Sequence, residues 1–244
     1  MNDVRSHVAA LVAVASPYWA GEAEVVRTYF SYPRTQTQDL FWLRAQAYKE
    51  ARPFRDLPPN LRDEFLRTGT LTYHPDGPEA SVRLSQEVQH FRLLAELIAE
   101  ISDEPVALTD LPPLREDHKL QELRATYKKQ GDLERTAAAF TEGGGGAMFA
   151  VLSQLDGGKF ERRLAAIFKV IAADERSHGP MEIYAIARST KSEQDWQKAS
   201  TIVQEISRQR VLMRNEMFGY PLSPARLQEI DEGKISPWQM ALPI

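Results

Sequence analysis

Two short motifs in this chain combine a carboxylate and an imidazole at a spacing that suits metal binding. Glu87 precedes His90 by three residues, and Glu175 precedes His178 by three residues. Residues three apart lie on one face of an α-helix, so each pair could hold a metal ion between its side chains. The sequence therefore predicts two helices that each present a glutamate and a histidine on one face.

A further glutamate precedes each motif at a similar distance. Glu50 stands 37 residues before Glu87, and Glu142 stands 33 residues before Glu175. Two Glu-x-x-His helices and one glutamate from each of two other helices form a dinuclear site inside a four-helix bundle. The predicted metal ligands are Glu50, Glu87, His90, Glu142, Glu175 and His178. Asp174 is expected either to accept the outer ring N–H of a ligand histidine or to face solvent.

The ligand types indicate which metal ions would bind. Four carboxylates carry four negative charges, which two divalent ions neutralise. Carboxylate and imidazole ligands suit iron or manganese better than ions that favour thiolates. We therefore expect two iron ions, with manganese as the alternative.

Apolar stripes with helical spacing place the first three predicted ligands inside the protein. From residue 36 to about 52, Leu40, Leu43 and Ala47 recur at three or four residues, and the next turn reaches Glu50. From about 79 to 101, a second stripe is interrupted only by Glu87 and His90. A buried carboxylate without a partner is costly, so this interruption indicates a site.

The remaining pattern is helical throughout. Helices are predicted over residues 3–30, 120–129, 133–155 with Glu142, 159–188 with Glu175 and His178, and 192–217. A polar, proline-containing connection is expected between the helices of Glu50 and Glu87, and an ordered tail anchored by Trp238 after Pro221. We predict an all-α protein with a ferritin-like four-helix bundle in one domain, 1–244. The core bundle covers about 36–190, and flanking segments cover 1–35 and 191–244.

Four consecutive glycines, Gly143 to Gly146, follow Glu142 inside the predicted helix 133–155. Each glycine costs about 1 kcal/mol relative to alanine in a helix, so a compensating role is expected. One interpretation is a widened or bulged helix that leaves space for dioxygen and substrate beside the metals. The other is a helix break that places Glu142 in a loop.

Composition narrows the class of protein. The 30 basic and 34 acidic residues give a net charge of −4, which provides no general attraction to nucleic acid. The absence of cysteine excludes thiolate metal sites and disulfides. No run of about 18 apolar residues is present, so neither a membrane span nor membrane insertion is expected. We expect a cytoplasmic protein.

Other acidic and histidine residues fit the site less well. Glu22, Glu24 and Glu64 are weaker ligand candidates because proline-rich segments separate them from the required register. His7, His74 and His118 have no glutamate at ligand spacing, and we expect them on the surface.

The ligand motifs resemble those of the ferritin-like di-iron carboxylate superfamily, and most closely those of soluble acyl carrier protein desaturases. Ile171 to His178 resembles that family's fourth-helix motif, and Glu50-Ala51-Arg52-Pro53-Phe54 resembles its first-helix motif. The resemblance implies that the six predicted ligands bind iron. The chain departs from the family at Ser177, where an arginine is usual, and at Gly145, where a hydroxyl residue is frequent. These positions bear on electron and proton delivery. The resemblance therefore supports the metal site more strongly than it supports the reaction.

The leading hypothesis is a non-haem di-iron oxidase or oxygenase that uses dioxygen and an external electron donor. Desaturation or hydroxylation of a small-molecule or carrier-bound acyl substrate is the first choice, and a homodimer is expected. N-oxygenation or hydroxylation of a small metabolite is the alternative within this class. A metal-storage protein or a metal-free helical scaffold is the alternative from outside it.

Overall fold

The described part of the chain is helical. The computed structural model describes residues 2–55, 57–69, 78–140, 143–175 and 185–239. Within these ranges there are helices and no strands, which confirms the all-α class. The helices are α1 (Asn2–Phe30), α2 (Gln36–Arg55), α3 (Pro59–Thr68), α4 (Pro78–Ser102), α5 (Arg115–Lys128), α6 (Asp132–Phe140), α7 (Gly143–Leu152), α8 (Lys159–Glu175), α9 (Glu193–Met217) and α10 (Pro224–Asp231). Residues 185–189 are also helical, and a 3₁₀ turn spans Leu108–Asp110.

The chain divides into two compact units. The first, called the α2–α4 unit, comprises Arg34–Pro113, and its main contact is between α2 and α4. The second comprises Met1–Pro33 with Leu114–Ile244, and in it α1 packs against α7 and α9 while α5 and α6 also pack against α9. The expectation of one domain over 1–244 stays a prediction.

The α2–α4 unit is organised by the apolar stripes that the sequence predicts. Trp42, Leu43 and Ala47 of α2 are fully buried, as are Leu94 and Ile98 of α4. α2 continues to Arg55, past the predicted end, because Pro53 lies in its last turn and removes one hydrogen bond without ending the helix. Glu50 therefore lies within the helix and not at a frayed end.

The polar connection predicted between the helices of Glu50 and Glu87 contains a helix, α3, so this prediction is corrected. The prolines of this connection do not prevent helix formation, because Pro59 is the first residue of α3, where its fixed φ favours a helix. Gly69 ends the helix with φ of 72°, and its N–H donates to the Phe65 carbonyl at 2.8 Å. The side chain of Phe65 is buried against Phe54, with ring centroids 6.0 Å apart.

The second unit is organised around α1, a single helix that contains Pro17. Its fully buried residues include Trp19, Val25 and Val26. The predicted ordered tail is confirmed up to residue 239 and also contains α10. The Trp238 N–H donates to the Ser16 carbonyl at 3.1 Å.

Helices α6 and α7 cover most of the predicted helix 133–155. α6 ends at Phe140 and α7 begins at Gly143, and residues 141 and 142 lie outside the described part of the chain. Both interpretations of the glycine run, a widened helix and a helix break, therefore stay predictions. None of the described helices combines the length and the apolar content needed to cross a membrane.

Candidate metal centre

Helix α2 contributes Glu50 to the site. Ala47 and Leu43 are buried one and two turns earlier, respectively, and the helical period brings Glu50 onto the same face. Only 6% of Glu50 is exposed. A carboxylate this deeply buried requires hydrogen-bonding or charged partners, and α4 supplies them.

Helix α4 contributes Glu87 and His90. The surrounding residues Leu84, Phe91 and Leu94 are buried, and they fix the face that α4 turns toward α2. His90 is completely buried, and Glu87 is half-buried. Glu87 and His90 therefore lie on one face of α4, as their spacing in the sequence predicts.

The three side chains converge on one point. Ligand atoms of Glu50, Glu87 and His90 lie within 4.8 Å of one another. Nδ1 of His90 is 3.4 Å from Oε2 of Glu50. Gln46, one turn earlier on α2, donates a hydrogen bond from its side-chain amide to Oε1 of Glu50. The two oxygens of Glu50 thus face different partners.

The electrostatic surroundings keep Glu50 ionised. Burial raises the pKa of Glu50, but the hydrogen bond and charge of His90 outweigh this effect, helped by Glu87 and Lys49. The pKa of Glu50 is therefore lowered from its ordinary value. An ionised carboxylate is the form that binds a cation.

Two aromatic residues lie close in sequence to the site residues, one on each helix. Phe54 follows Glu50 by one turn, and Phe91 follows His90 directly. Their ring centroids are 5.5 Å apart in an edge-to-face arrangement, and both side chains are buried. Glu50 itself is 6% exposed, and electrostatic interactions are stronger at such a buried position than in water.

The geometry and chemistry of the group fit a metal ion. Donor atoms that each lie at about 2.0–2.2 Å from one ion are at most about 4.4 Å apart, close to the observed spread. Two carboxylates and one imidazole form a donor set typical of iron and manganese sites.

Of the other three predicted ligands, only Glu175 lies in the part of the chain that the structure describes. Glu142 and His178 lie outside the described residues, as does His74. Asp174 and Glu175 end α8 in the second unit, and both are half-buried. The structure therefore brings together three of the six predicted ligands, and the roles of Glu142, Glu175, His178 and Asp174 stay predictions.

Glu22 has a different role from metal binding. It is completely buried in the second unit, and it accepts hydrogen bonds from Arg210 at 2.9 Å and Arg214 at 3.0 Å. Glu24 instead pairs with Arg226, and Glu64 is exposed. Their treatment as weaker ligand candidates is consistent with these positions.

The two described histidines outside the site differ from each other. His118 is 73% exposed, as expected. His7 is also at the surface but is partly covered, with 19% of its side chain exposed. Its ring stacks on Trp196 with centroids 4.8 Å apart, and Nε2 lies 2.7 Å from Glu193.

Sequence reasoning missed Gln46. The residue precedes Glu50 by four positions, so the helical period places it on the same face as the ligand. A polar side chain one turn from a predicted ligand, on an otherwise apolar stripe, is the signal that could have identified it.

No protein-family profile, no curated protein and no solved structure matches this chain. The resemblance to the ferritin-like superfamily is therefore limited to the ligand motifs and their spacing.

Proposed function

We propose that this protein is a non-haem metal enzyme that uses dioxygen to oxidise an organic substrate. The observation that carries the proposal is the convergence of Glu50, Glu87 and His90 within 4.8 Å between α2 and α4, where Glu50 and His90 are buried and Glu87 is half-buried. A protein core rarely contains such a group without a cation or another compensating partner.

Each residue of the group has a defined task in this proposal. Glu50 and Glu87 supply negative charge and oxygen ligands, and His90 would release its proton on metal binding and supply a neutral nitrogen ligand. Phe54 and Phe91 exclude water, which limits side reactions of an oxidising centre. A bound reduced iron would supply electrons to dioxygen and so generate the oxidant.

The proposal for a second ion rests on the sequence. Glu142, Glu175 and His178 repeat the pattern of Glu50, Glu87 and His90, and Asp174 is the proposed hydrogen-bond partner of a ligand histidine. Six ligands with four carboxylates would neutralise two divalent ions. Iron is the proposed metal, and manganese has the same preference for these ligands.

The proposed reaction is desaturation or hydroxylation of an acyl chain, with an external electron donor. Its support is the resemblance of the ligand motifs to those of acyl carrier protein desaturases. N-oxygenation or hydroxylation of a small metabolite requires the same metal centre and differs only in the substrate.

The test is metal analysis followed by oxygen consumption on the same sample. The full-length protein is loaded anaerobically with ferrous iron and desalted, and its iron content is measured. A reductant and either an acyl carrier protein substrate or a free acyl chain are then added. Substrate-dependent oxygen uptake supports the proposal. Iron binding without uptake favours storage, and no iron binding favours a metal-free scaffold in which Glu50 and His90 form a buried pair.

A further inference from the structure

Gln46 is placed to control the orientation of Glu50. It lies in the middle of α2 and is 1% exposed, between the buried residues Ala45 and Ala47. Its amide nitrogen donates to Oε1 of Glu50 across one helical turn. A buried amide group needs a hydrogen-bond partner, and Gln46 uses a predicted metal ligand as that partner.

The hydrogen bond leaves the two oxygens of Glu50 with separate tasks. Oε1 is held by Gln46 within α2, whereas Oε2 is directed toward α4, where it lies 3.4 Å from Nδ1 of His90. A glutamate side chain that is fixed at one oxygen cannot rotate freely about its last bond. Oε2 therefore points toward the place where the ligand atoms of Glu87 and His90 converge.

We propose that Gln46 is a positioning residue of the metal centre, which holds Oε1 of Glu50 so that Oε2 binds the metal. The inference rests on the proposed metal site and deepens it. Residues that orient a metal ligand typically contribute about 10–100-fold to metal affinity.

The experiment compares Mn²⁺ affinity in the full-length wild type, Gln46→Met and Gln89→Met. Methionine has a similar length to glutamine but lacks the amide donor. Gln89 lies on α4 next to His90 and is exposed, so Gln89→Met is the matched control. Affinity is measured at low temperature on protein whose circular dichroism spectrum is that of the wild type. We expect Gln46→Met to weaken Mn²⁺ binding about 10–100-fold and Gln89→Met to leave it unchanged.

A second readout reports the geometry of the site. The visible spectrum of bound Co²⁺ depends on the number and arrangement of its ligands. Releasing Oε1 of Glu50 from Gln46 allows both oxygens to reach the ion, so the Co²⁺ spectrum of Gln46→Met should differ from that of the wild type. A purely structural glutamine would change the melting temperature of the metal-free protein without changing this spectrum.

The outcomes separate this inference from the proposed function. If wild type binds no Mn²⁺ or Co²⁺, the proposed metal site is wrong, and the role of Gln46 is overturned with it. If wild type binds both ions and Gln46→Met has the same affinity and spectrum, only the role of Gln46 is overturned. If Gln46→Met does not fold, the Mn²⁺ affinity and the Co²⁺ spectrum are measured on Gln46→Asn instead. It keeps the amide but shortens its reach, so the same weakening is expected.

Discussion

Nδ1 of His90 lies 3.4 Å from Oε2 of Glu50, and the two residues belong to different helices. Glu50 is on α2 and His90 is on α4, so their contact depends on the packing of one helix against the other. Neither helix alone could form the group, because helical spacing explains only the pairing of Glu87 with His90. The contact therefore links the stability of the α2–α4 unit to the site.

Replacing His90 by alanine should remove metal binding at the group. The substitution deletes a predicted ligand, and loss of even an outer partner typically costs about 10–100-fold in affinity. We expect Mn²⁺ affinity to fall by more than about 100-fold. His118→Ala is the control, because His118 is 73% exposed. Equal effects of the two substitutions on Mn²⁺ binding would contradict the assignment.

Added metal should raise the melting temperature of the wild type. An ion that binds only the folded state, at a free concentration 100 times its Kd, stabilises that state by about 2.7 kcal/mol. For a chain of this size, each kcal/mol corresponds to about 2–4 °C. The measurement is a thermal melt with and without Mn²⁺. The shift should disappear in His90→Ala, and a shift that persists there would place the binding elsewhere.

Two ions should bind to each chain, and His178→Ala should reduce this number to one. The prediction follows from the repeated Glu-x-x-His pattern, in which His178 belongs to a different motif from His90. Iron content after anaerobic loading measures the stoichiometry. A wild-type value near one, unchanged by His178→Ala, would restrict the site to Glu50, Glu87 and His90.

The parts of the structure that depend on local sequence period could be predicted. Glu50 was placed inside α2 by the stripe of Leu43 and Ala47, and its 6% exposure confirms that position. The pairing of Glu87 and His90 on one face of α4 follows from the same reasoning. These features depend on neighbours within two or three turns, which a single sequence displays.

The parts that depend on distant partners could not be predicted. Glu22 is neutralised by Arg210, which stands 188 residues later, and no local pattern connects them. Helix α3 was missed for a different reason, because Pro59 stops a helix in its interior but favours one at its first residue.

Gly146→Ala should stabilise the protein. Gly146 lies in α7, and a Cβ atom added there meets no atom within 4 Å, so the substitution causes no clash. Alanine is favoured over glycine in a helix by about 1 kcal/mol. Urea unfolding should show this gain. Gly69→Ala is the control of opposite sign, because φ of 72° at Gly69 makes a side chain cost about 1–2 kcal/mol.

Glu22→Gln should destabilise the second unit strongly at neutral pH. The substitution keeps the shape of the side chain but removes the charge that neutralises Arg210 and Arg214, both of which are buried. Breaking a buried ion pair from one side typically costs about 3–5 kcal/mol. Glu24→Gln is the matched control on the same helix. Glu24 pairs with Arg226 at a position where both side chains are partly exposed, so its loss should cost less than about 1 kcal/mol.

The pH dependence of the destabilisation caused by Glu22→Gln tests whether it is electrostatic in origin. Burial raises the pKa of Glu22, but Arg210 and Arg214 lower it more, so it lies below the ordinary value of 4.5. A group with a lowered folded-state pKa stabilises the protein fully above its unfolded-state pKa, and this contribution is lost as the pH falls through the folded-state value. The difference in unfolding free energy between wild type and Glu22→Gln should therefore be constant above about pH 5 and shrink below it. Urea unfolding of both proteins from pH 7 to pH 3 measures this difference, and a difference that stays constant over the whole range would show that packing, and not charge, accounts for the loss.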